Sequence, residues 1–278
     1  MPKLTYINSR GESVTFSNRP PFILSNIEGL GDVDADVQTQ KSPFQDGETH
    51  IDTTLEPRYI DMEISIVGKG VDEYRRKLST IMTPKLTGVL KYEDNNVVRT
   101  ISCINEHVPK FSTKYRNYHS VSINIICPNP YWKSPTIEEQ PTFEPLFQFP
   151  FEGAFQMGIQ RDLRIIDNDS DTEVPIQVEF YGPAVNPIIT NNTTGEFIKV
   201  NQTLEENEYM RIDTTEGNKS VVFINVETKE ERNVFNWIDL GSTFFQLQIG
   251  ENEIEYSADN DIQGAIVNIY WQKHFVGV

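Results

Sequence analysis

The stretch Cys127-Pro128-Asn129-Pro130-Tyr131-Trp132-Lys133-Ser134-Pro135 constrains this chain more than any other. Before it, Val121, Ile123, Ile125 and Cys127 recur at every second position, the pattern of a half-buried strand. Pro128 ends that strand, because proline has no N–H to donate to a ladder. Six of the 16 prolines fall in the next stretch: Pro128, Pro130, Pro135, Pro141, Pro145 and Pro150. So many fixed φ angles define a semi-rigid, extended connector. Pro128, Pro130, Tyr131, Trp132 and Pro135 are therefore read as an inter-domain junction.

Charge divides the chain at the same place. Residues 1–135 carry 16 Lys+Arg and 16 Asp+Glu, which leaves 8 of the 24 basic and 25 of the 41 acidic residues for 136–278. The whole net charge of −17 lies after the junction. A length of 278 residues allows two domains, 1–135 and 136–278, each with its own core. Hydrophobic residues at 37% and aromatics at 11% suit globular β domains rather than disorder. Met1-Pro2-Lys3-Leu4-Thr5 lacks the apolar core of a signal peptide, and no apolar run approaches the ~18–20 residues of a membrane span. A soluble chain made in a cytoplasm is expected. The acidity argues against nucleic acid, which demands phosphate neutralisation, and against an anionic membrane surface.

In the first half, Leu4 and Tyr6, the turn Asn8-Ser9-Arg10-Gly11, and Val14 and Phe16 read as a strand pair. Arg19-Pro20-Pro21 breaks it, Phe22-Ile23-Leu24 starts a new strand, and Gly29-Leu30-Gly31 loosens the backbone. Asp32-Val33-Asp34-Ala35-Asp36-Val37 spaces carboxylates like a calcium loop but has Val37 and Pro43 where that loop needs Gly and Glu. The alternation instead directs Val33, Ala35, Val37 and Thr39 toward a core. Lys41-Ser42-Pro43-Phe44-Gln45-Asp46-Gly47 is a turn-rich tip. A strand pair ending this way can reach a neighbouring molecule, so Val33, Val37, Phe44, Gln45, Asp46 and Gly47 are candidate inter-subunit arm residues.

Ile60, Met62, Ile64 and Ile66 alternate along the next strand, and the period then changes. Val71, Tyr74, Leu78 and Ile81 form one apolar stripe on a helix over residues ~71–83, stopped by Pro84. Leu90 to Ile104 reads as a hairpin about Glu93-Asp94-Asn95-Asn96, and Tyr115 to Cys127 as the closing strand. Cys103 and Cys127 are the only two cysteines and sit in apolar stretches, as buried free thiols do. Neighbouring strands can also place two such thiols close together. His50, His107, His119 and His274 lack metal-ligand spacing and read as surface or hydrogen-bonded side chains.

After Leu163, about eight strand-like runs are separated by turn signals, which points to a two-sheet jelly-roll sandwich. The runs include Val174 to Phe180, Phe197 to Val200, Tyr209 to Asp213, Ser220 to Val226, Phe244 to Ile249, Glu253 to Tyr256 and Ala265 to Trp271. Gly182-Pro183 and Gly250-Glu251-Asn252 are among the turn signals. Asp167-Asn168-Asp169-Ser170-Asp171 again resembles a calcium loop without its later Gly and Glu. Trp237, Tyr256, Tyr270 and Trp271 are candidates to stack on a sugar, with Trp271 on the core side. No nucleophile elbow, zinc helix, phosphate loop or dinucleotide fingerprint occurs. No catalytic residue, cofactor or metal is assigned.

The ordered set of these features is similar to one family. In the first half it comprises Gly29-Leu30-Gly31, Asp46-Gly47, the strand Arg58 to Val67, Tyr74-Arg75-Arg76-Lys77-Leu78 into Pro84-Lys85, and Cys127-Pro128-Asn129-Pro130-Tyr131-Trp132. In the second half it comprises Asn186-Pro187-Ile188-Ile189, Thr194-Gly195, Ile212-Asp213-Thr214 and Gly250-Glu251-Asn252-Glu253-Ile254. Over nearly its whole length the chain resembles the distal tail (Dit) proteins of long-tailed, non-contractile phages and prophages of Gram-positive bacteria. The resemblance implies a mainly β protein: an N-terminal β-sandwich with one α-helix and a galectin-like C-terminal jelly-roll sandwich. It implies a structural virion protein, not an enzyme, synthesised in the host bacterial cytoplasm and placed at the tail tip or baseplate. It also implies a homohexameric ring, built by the N-terminal domains, between the tail tube (major tail) protein and hub, receptor-binding or baseplate proteins. The alternative reading is a lectin-like module that binds cell-wall carbohydrate and aids host adhesion.

Overall fold

The computed structural model describes residues 2–112, 118–140, 143–144, 159–160, 163–259 and 266–278. Two compact units result: Met1–Pro135 with Phe275–Val278, and Thr136–His274. The last four residues, which the sequence groups with the second domain, therefore pack with the first unit.

In the first unit, β1 (Lys3–Asn8) and β2 (Ser13–Phe16) pair around a turn held by Asn8, whose Oδ1 accepts the N–H groups of Arg10 and Glu12, each at 3.0 Å. β3 (Phe22–Glu28) follows a Pro20–Pro21 cis peptide. Then come β4 (Ala35–Gln40), β5 (Thr49–Leu55), β6 (Arg58–Val67) and α1 (Val71–Ile81). β7 (Thr87–Asp94), β8 (Val97–Asn105), β9 (Lys110–Phe111), β10 (Tyr118–Cys127) and β11 (Trp132–Lys133) complete it. The main sheet runs β2-β1-β7-β8-β10-β6-β3. Its two edges meet at a bridge between Ser17 and Ile23, where the Leu24 N–H donates to Ser17 O at 2.8 Å. The sheet thus curls until its halves face each other across one core, and closure removes the exposed edges.

The alternating residues read from the sequence converge in that core: Leu4 and Tyr6, Ile60 to Ile66, Ile101 and Cys103, Val121 to Cys127. α1 covers it with Val71, Leu78 and Ile81. Asp72 and Glu73 sit in its first turn, where the helix dipole favours acids. At the other end Asn8 Nδ2 donates to Ile81 O at 3.2 Å, satisfying a carbonyl the helix leaves open. The helix stops at Ile81 rather than at residue 83, because Met82 already leaves helical geometry with φ −99° and ψ 47°.

The second unit starts with β12 (Glu138–Gln140), β13 (Phe143–Glu144), β14 (Ile159–Gln160), β15 (Leu163–Asn168) and β16 (Ile176–Tyr181). β17 (Ala184–Val185), β18 (Ile188–Asn191), β19 (Glu196–Lys199), β20 (Thr203–Leu204) and β21 (Glu208–Asp213) follow. The last are β22 (Ser220–Asn225), β23 (Glu231–Asn233), β24 (Gly250–Ser257) and β25 (Val267–Trp271). A six-stranded sheet, β12-β25-β16-β21-β22-β23, packs against a four-stranded one, β15-β24-β18-β19. Their inner residues form the second core, including Val178, Phe180, Ile212, Phe223, Ile254 and Tyr256.

Two expectations for this unit fail. Phe244 to Ile249 is not a strand. Phe245 and Leu247 are buried, so the alternation reports burial correctly. Yet the backbone pairs only at Leu247 with Val174, and the Phe245 N–H turns back to Thr243 O at 2.8 Å. Gly250-Glu251-Asn252 does not form a turn but opens β24. The turn lies just before it, tied by Asn252, whose Nδ2 donates to Gln248 O (2.7 Å) and Gly250 O (2.8 Å).

Candidate assembly interface

Among the described residues, β4 and β5 pair with each other and with no other strand. Six residues of strand span about 20 Å, so the ribbon projects well beyond its root. Every residue of β4 is exposed, as is every residue of β5 except Leu55. This corrects the expectation that Val33, Ala35, Val37 and Thr39 face a core: Val33 is half-buried and the other three are exposed. Alternation is present, but among the described residues no second layer covers it. Val37 is 55% exposed, Ile51 59% and Phe44 107%. An isolated two-stranded ribbon is marginal in water, and its apolar residues Val37, Phe44 and Ile51 are exposed.

The tip is ordered rather than loose. Ser42 donates its N–H to Gln45 Oε1 at 3.0 Å, and its carbonyl accepts the Gln45 N–H at 3.1 Å. Gln45 Nε2 donates to Thr49 Oγ1 at 3.1 Å, closing the loop across its neck. Phe44 and Gly47 take positive φ, 66° and 75°, which turns the chain and leaves the Phe44 ring outward. Asp46 is exposed beside it.

The root of the ribbon is clamped by Arg58, only 1% exposed. Its Nε donates to Pro130 O at 2.9 Å, and its Nη1 to Gly29 O at 2.9 Å and Asp32 O at 2.8 Å. Its Nη2 donates to Val276 O. One guanidinium thus ties together the segment entering the ribbon, the junction and the end of the chain. Burial lowers its pKa, and every partner is a carbonyl rather than a carboxylate. Around it, Arg99 stacks on the Phe275 ring at 3.5 Å, and Trp132 Nε1 donates to Leu30 O at 3.0 Å. Gly29 must be glycine: its φ is +86°, and a Cβ would stand 1.9 Å from Tyr59 O. One signal for Arg58 is present in the sequence. It shares the alternating face of Ile60, Met62 and Ile64, so a cation pointed into the core.

The junction residues behave differently from a free connector. Trp132 is fully buried, edge-on to Tyr92 with centroids 6.3 Å apart, and Pro130 is buried beside it. Tyr131 donates its N–H to Asn129 Oδ1 at 3.1 Å. Pro128 and Pro135 are exposed. Residues 128–135 are thus part of the first unit. Pro141, Pro145 and Pro150 lie outside the described residues.

Both cysteines are free and buried. β10 pairs with β8 at Ile125–Asn105 and Ile126–Ile104, a ladder that ends one position short of Cys127 and Cys103. Burial pushes the Cys127 thiol up to about 12 and raises Cys103 as well. Of the four histidines, read as surface or hydrogen-bonded, His119 is neither: it is buried and both its ring nitrogens lack a hydrogen-bond partner among the described residues. His119 is 2% exposed and packs against Phe111, and His274 is 5% exposed. Of the four candidate sugar-stacking aromatics, Tyr256 is core and Trp271 packs on the core. Trp237 is exposed in a 3-10 turn, Phe235–Trp237, for which the sequence carries no periodic signal. Tyr270 lies half-buried on the outer face of β25.

Comparison with known proteins follows the same division. Residues 9–127 match the phage tail protein RIFT-related domain, and residues 168–275 match the siphovirus-type tail component, C-terminal domain. No curated protein sequence matches. The Dit protein of phage SPP1, described as a paradigm of the hub adsorption apparatus in phages infecting Gram-positive bacteria, is similar in fold. Its TM-score is 0.70 at 13% identity, over 98% of this chain and 99% of that one. A chain of the phage P2 baseplate in its activated conformation matches with TM-scores of 0.55 (calcium form) and 0.54 (strontium form), at 10% identity over all of both chains. The fold and the two matched domains define a structural component of a phage tail. Together those domains cover most of the sequence, and the chain belongs to the Dit-type family of siphophage tail proteins.

Proposed function

We propose that this protein forms a closed homohexameric ring that joins the tail tube to the tail-tip hub or baseplate of a long-tailed, non-contractile phage. Residues 1–135 build the ring and residues 136–278 face outward. The observation that carries this reading is the β4–β5 ribbon, exposed on both faces and tipped by Phe44. A ribbon from one subunit lying on the next is a head-to-tail contact, which forms a ring when the rotation closes. Covering Val37, Phe44 and Ile51 contributes about 1.5–3 kcal/mol for each side chain fully buried. Electrostatics favour the same arrangement. The first half is neutral and can self-associate, whereas six copies of an acidic half are best screened on the outside. Likeness to hub and baseplate chains supports contact with tail and baseplate proteins.

Deleting Ser42 to Gly47 tests this. Light scattering of the purified full-length protein is expected to show a hexamer, and the deletion to shift mass toward monomer with an unchanged circular dichroism spectrum. An unchanged hexamer after the deletion removes the ribbon from the contact. A monomeric full-length protein at high concentration and moderate salt refutes the ring.

A further inference from the structure

The neutrality of residues 1–135 hides a separation of charge. Residues 32–57, which span the ribbon, hold seven acidic residues against one basic, Lys41, a net of −6. The rest of this half therefore holds nine acidic and 15 basic residues, a net of +6. The bases gather at α1. Residues 69–85 carry five of them against two acids, Asp72 and Glu73. Arg75 stacks on the Phe111 ring at 4.7 Å. Lys69, Arg76, Lys77 and Lys85 are exposed and, among the described residues, have no ion-pair partner. The same holds for Asp36, Asp46, Glu48 and Asp52 of the ribbon.

A groove of about 630 Å³ runs between α1 and the β1–β2 turn. Arg76, Lys77, Thr80 and Ile81 line it on the helix side, and Glu12 and Ser13 on the other. Asn8 fixes its width, since Asn8 Nδ2 ties the turn to the helix through Ile81 O at 3.2 Å. The aliphatic stems of Arg76 and Lys77 offer apolar surface beneath their charges, with the nearly buried Ile81 under them. The acids of the groove are already engaged. Glu12 Oε2 accepts from Asn8 Nδ2 at 3.0 Å, and Glu73 sits in the first turn of α1, where the helix dipole favours it.

Ribbon and groove lie at opposite ends of one strand. β5 ends at Leu55, three residues before β6 begins at Arg58, and α1 begins four residues after β6 ends at Val67. The length of β6 separates them by about 30 Å. A ribbon of about 20 Å does not span that distance back to its own helix, and its strands are exposed. Complementary features at opposite ends of a molecule meet between molecules, head to tail.

We propose that the groove between α1 and the β1–β2 turn receives the acidic ribbon of a second copy. Phe44 packs on the apolar stems, and ribbon carboxylates pair with Arg76 and Lys77. Charge-assisted hydrogen bonds of this kind are stronger than neutral ones, and complementary charge fixes register and rejects wrong partners. Charge also selects this groove over a second one, lined by Ile7, Val89, Ile104 and Pro128 among others, whose lining holds no charged residue. The inference rests on the ring reading above and adds the surface that accepts the ribbon.

Light scattering and sedimentation of the full-length protein test it through exposed side chains. Arg76→Glu with Lys77→Glu is expected to weaken association at least tenfold, with an unchanged circular dichroism spectrum. Asp36→Lys with Asp46→Lys is expected to do the same. If net charge alone governed assembly, this second pair would strengthen it by lowering the acidity. All four substitutions in one chain are expected to restore assembly, because the charges are then exchanged rather than lost. The proposal is overturned if the reversal of Arg76 and Lys77 leaves assembly unchanged, or if the fourfold variant stays as weak as either pair. It is also overturned if Val89→Arg dissociates the assembly and the charge reversals do not, which moves the contact to the apolar groove. A hexamer that dissociates on deletion of Ser42 to Gly47 but not on reversal of Arg76 and Lys77 keeps the ring and removes the groove. An assembly of another size that obeys the charge exchange refutes the hexamer and supports the groove. A monomer throughout overturns both.

Discussion

Replacing Arg58 by alanine should uncouple the ribbon root from the rest of the first unit. The guanidinium donates four hydrogen bonds to carbonyls from three separate segments, and it is 1% exposed. A hydrogen bond from a charged donor contributes about 1.5–3 kcal/mol, but four on one group are not additive. Alanine leaves four carbonyl oxygens to find water, yet it also removes a buried cation whose desolvation opposed folding. The net loss is about 3–4 kcal/mol. For a unit of this size, each kcal/mol moves the melting temperature by about 2–4 °C, so the first unit should melt about 10 °C lower. Lysine has three donors on a compact head and cannot reproduce the fork, so Arg58→Lys should recover less than half of the loss. Urea titration monitored by Trp132 fluorescence reads the stability, because that ring packs beside the network. Amide exchange should quicken at residues 29–32 and 275–278 in the alanine variant. If Arg58→Ala stays within about 1 kcal/mol of wild type, a group so buried and so bonded is not holding these segments, and the argument fails.

Other outcomes follow from the same structure. Gly29→Ala should destabilise the first unit by at least about 2 kcal/mol in urea, since it combines positive φ with a backbone clash 1.9 Å away; an unchanged midpoint refutes the geometry. Both thiols should ignore a disulfide reagent at pH 8, because burial keeps Cys127 protonated up to about 12 and raises Cys103 too; both should react after denaturation, and rapid labelling of native protein contradicts the burial. A fragment of residues 136–278 should fold alone as a monomeric β domain, and a random-coil circular dichroism spectrum refutes that boundary. The protein should not cleave cell-wall polysaccharide; release of reducing ends that a single carboxylate substitution abolishes overturns this expectation.

Much of the architecture was legible because burial leaves a period in the sequence. Ile60 to Ile66 and Val121 to Cys127 alternate because one face of each strand meets the core. The stripe of Val71, Leu78 and Ile81 reports a helix for the same reason. Periodicity says which residues share a face, however, and not what covers that face. Val37 in the ribbon shows the limit: the same alternation that marks a core strand elsewhere marks a surface without a partner here. Phe244 to Ile249 shows another, since burial alternated there without a ladder.

The sequence by itself determined the mainly β character, the helix that begins at Val71, the charge boundary after residue 135 and the outlines of both cores. These depend on local steric preference and on residues close together in the chain. Only the tertiary structure decided that the sheet of the first unit closes on itself through Ser17 and Ile23, and that Arg58 gathers Gly29, Asp32, Pro130 and Val276 around one guanidinium. It alone set Asn8 against Ile81, so that the β1–β2 turn and α1 line one groove. Each of these joins residues tens to hundreds of positions apart. Such pairings depend on strand order and register across the whole unit, and no local pattern in the chain encodes them.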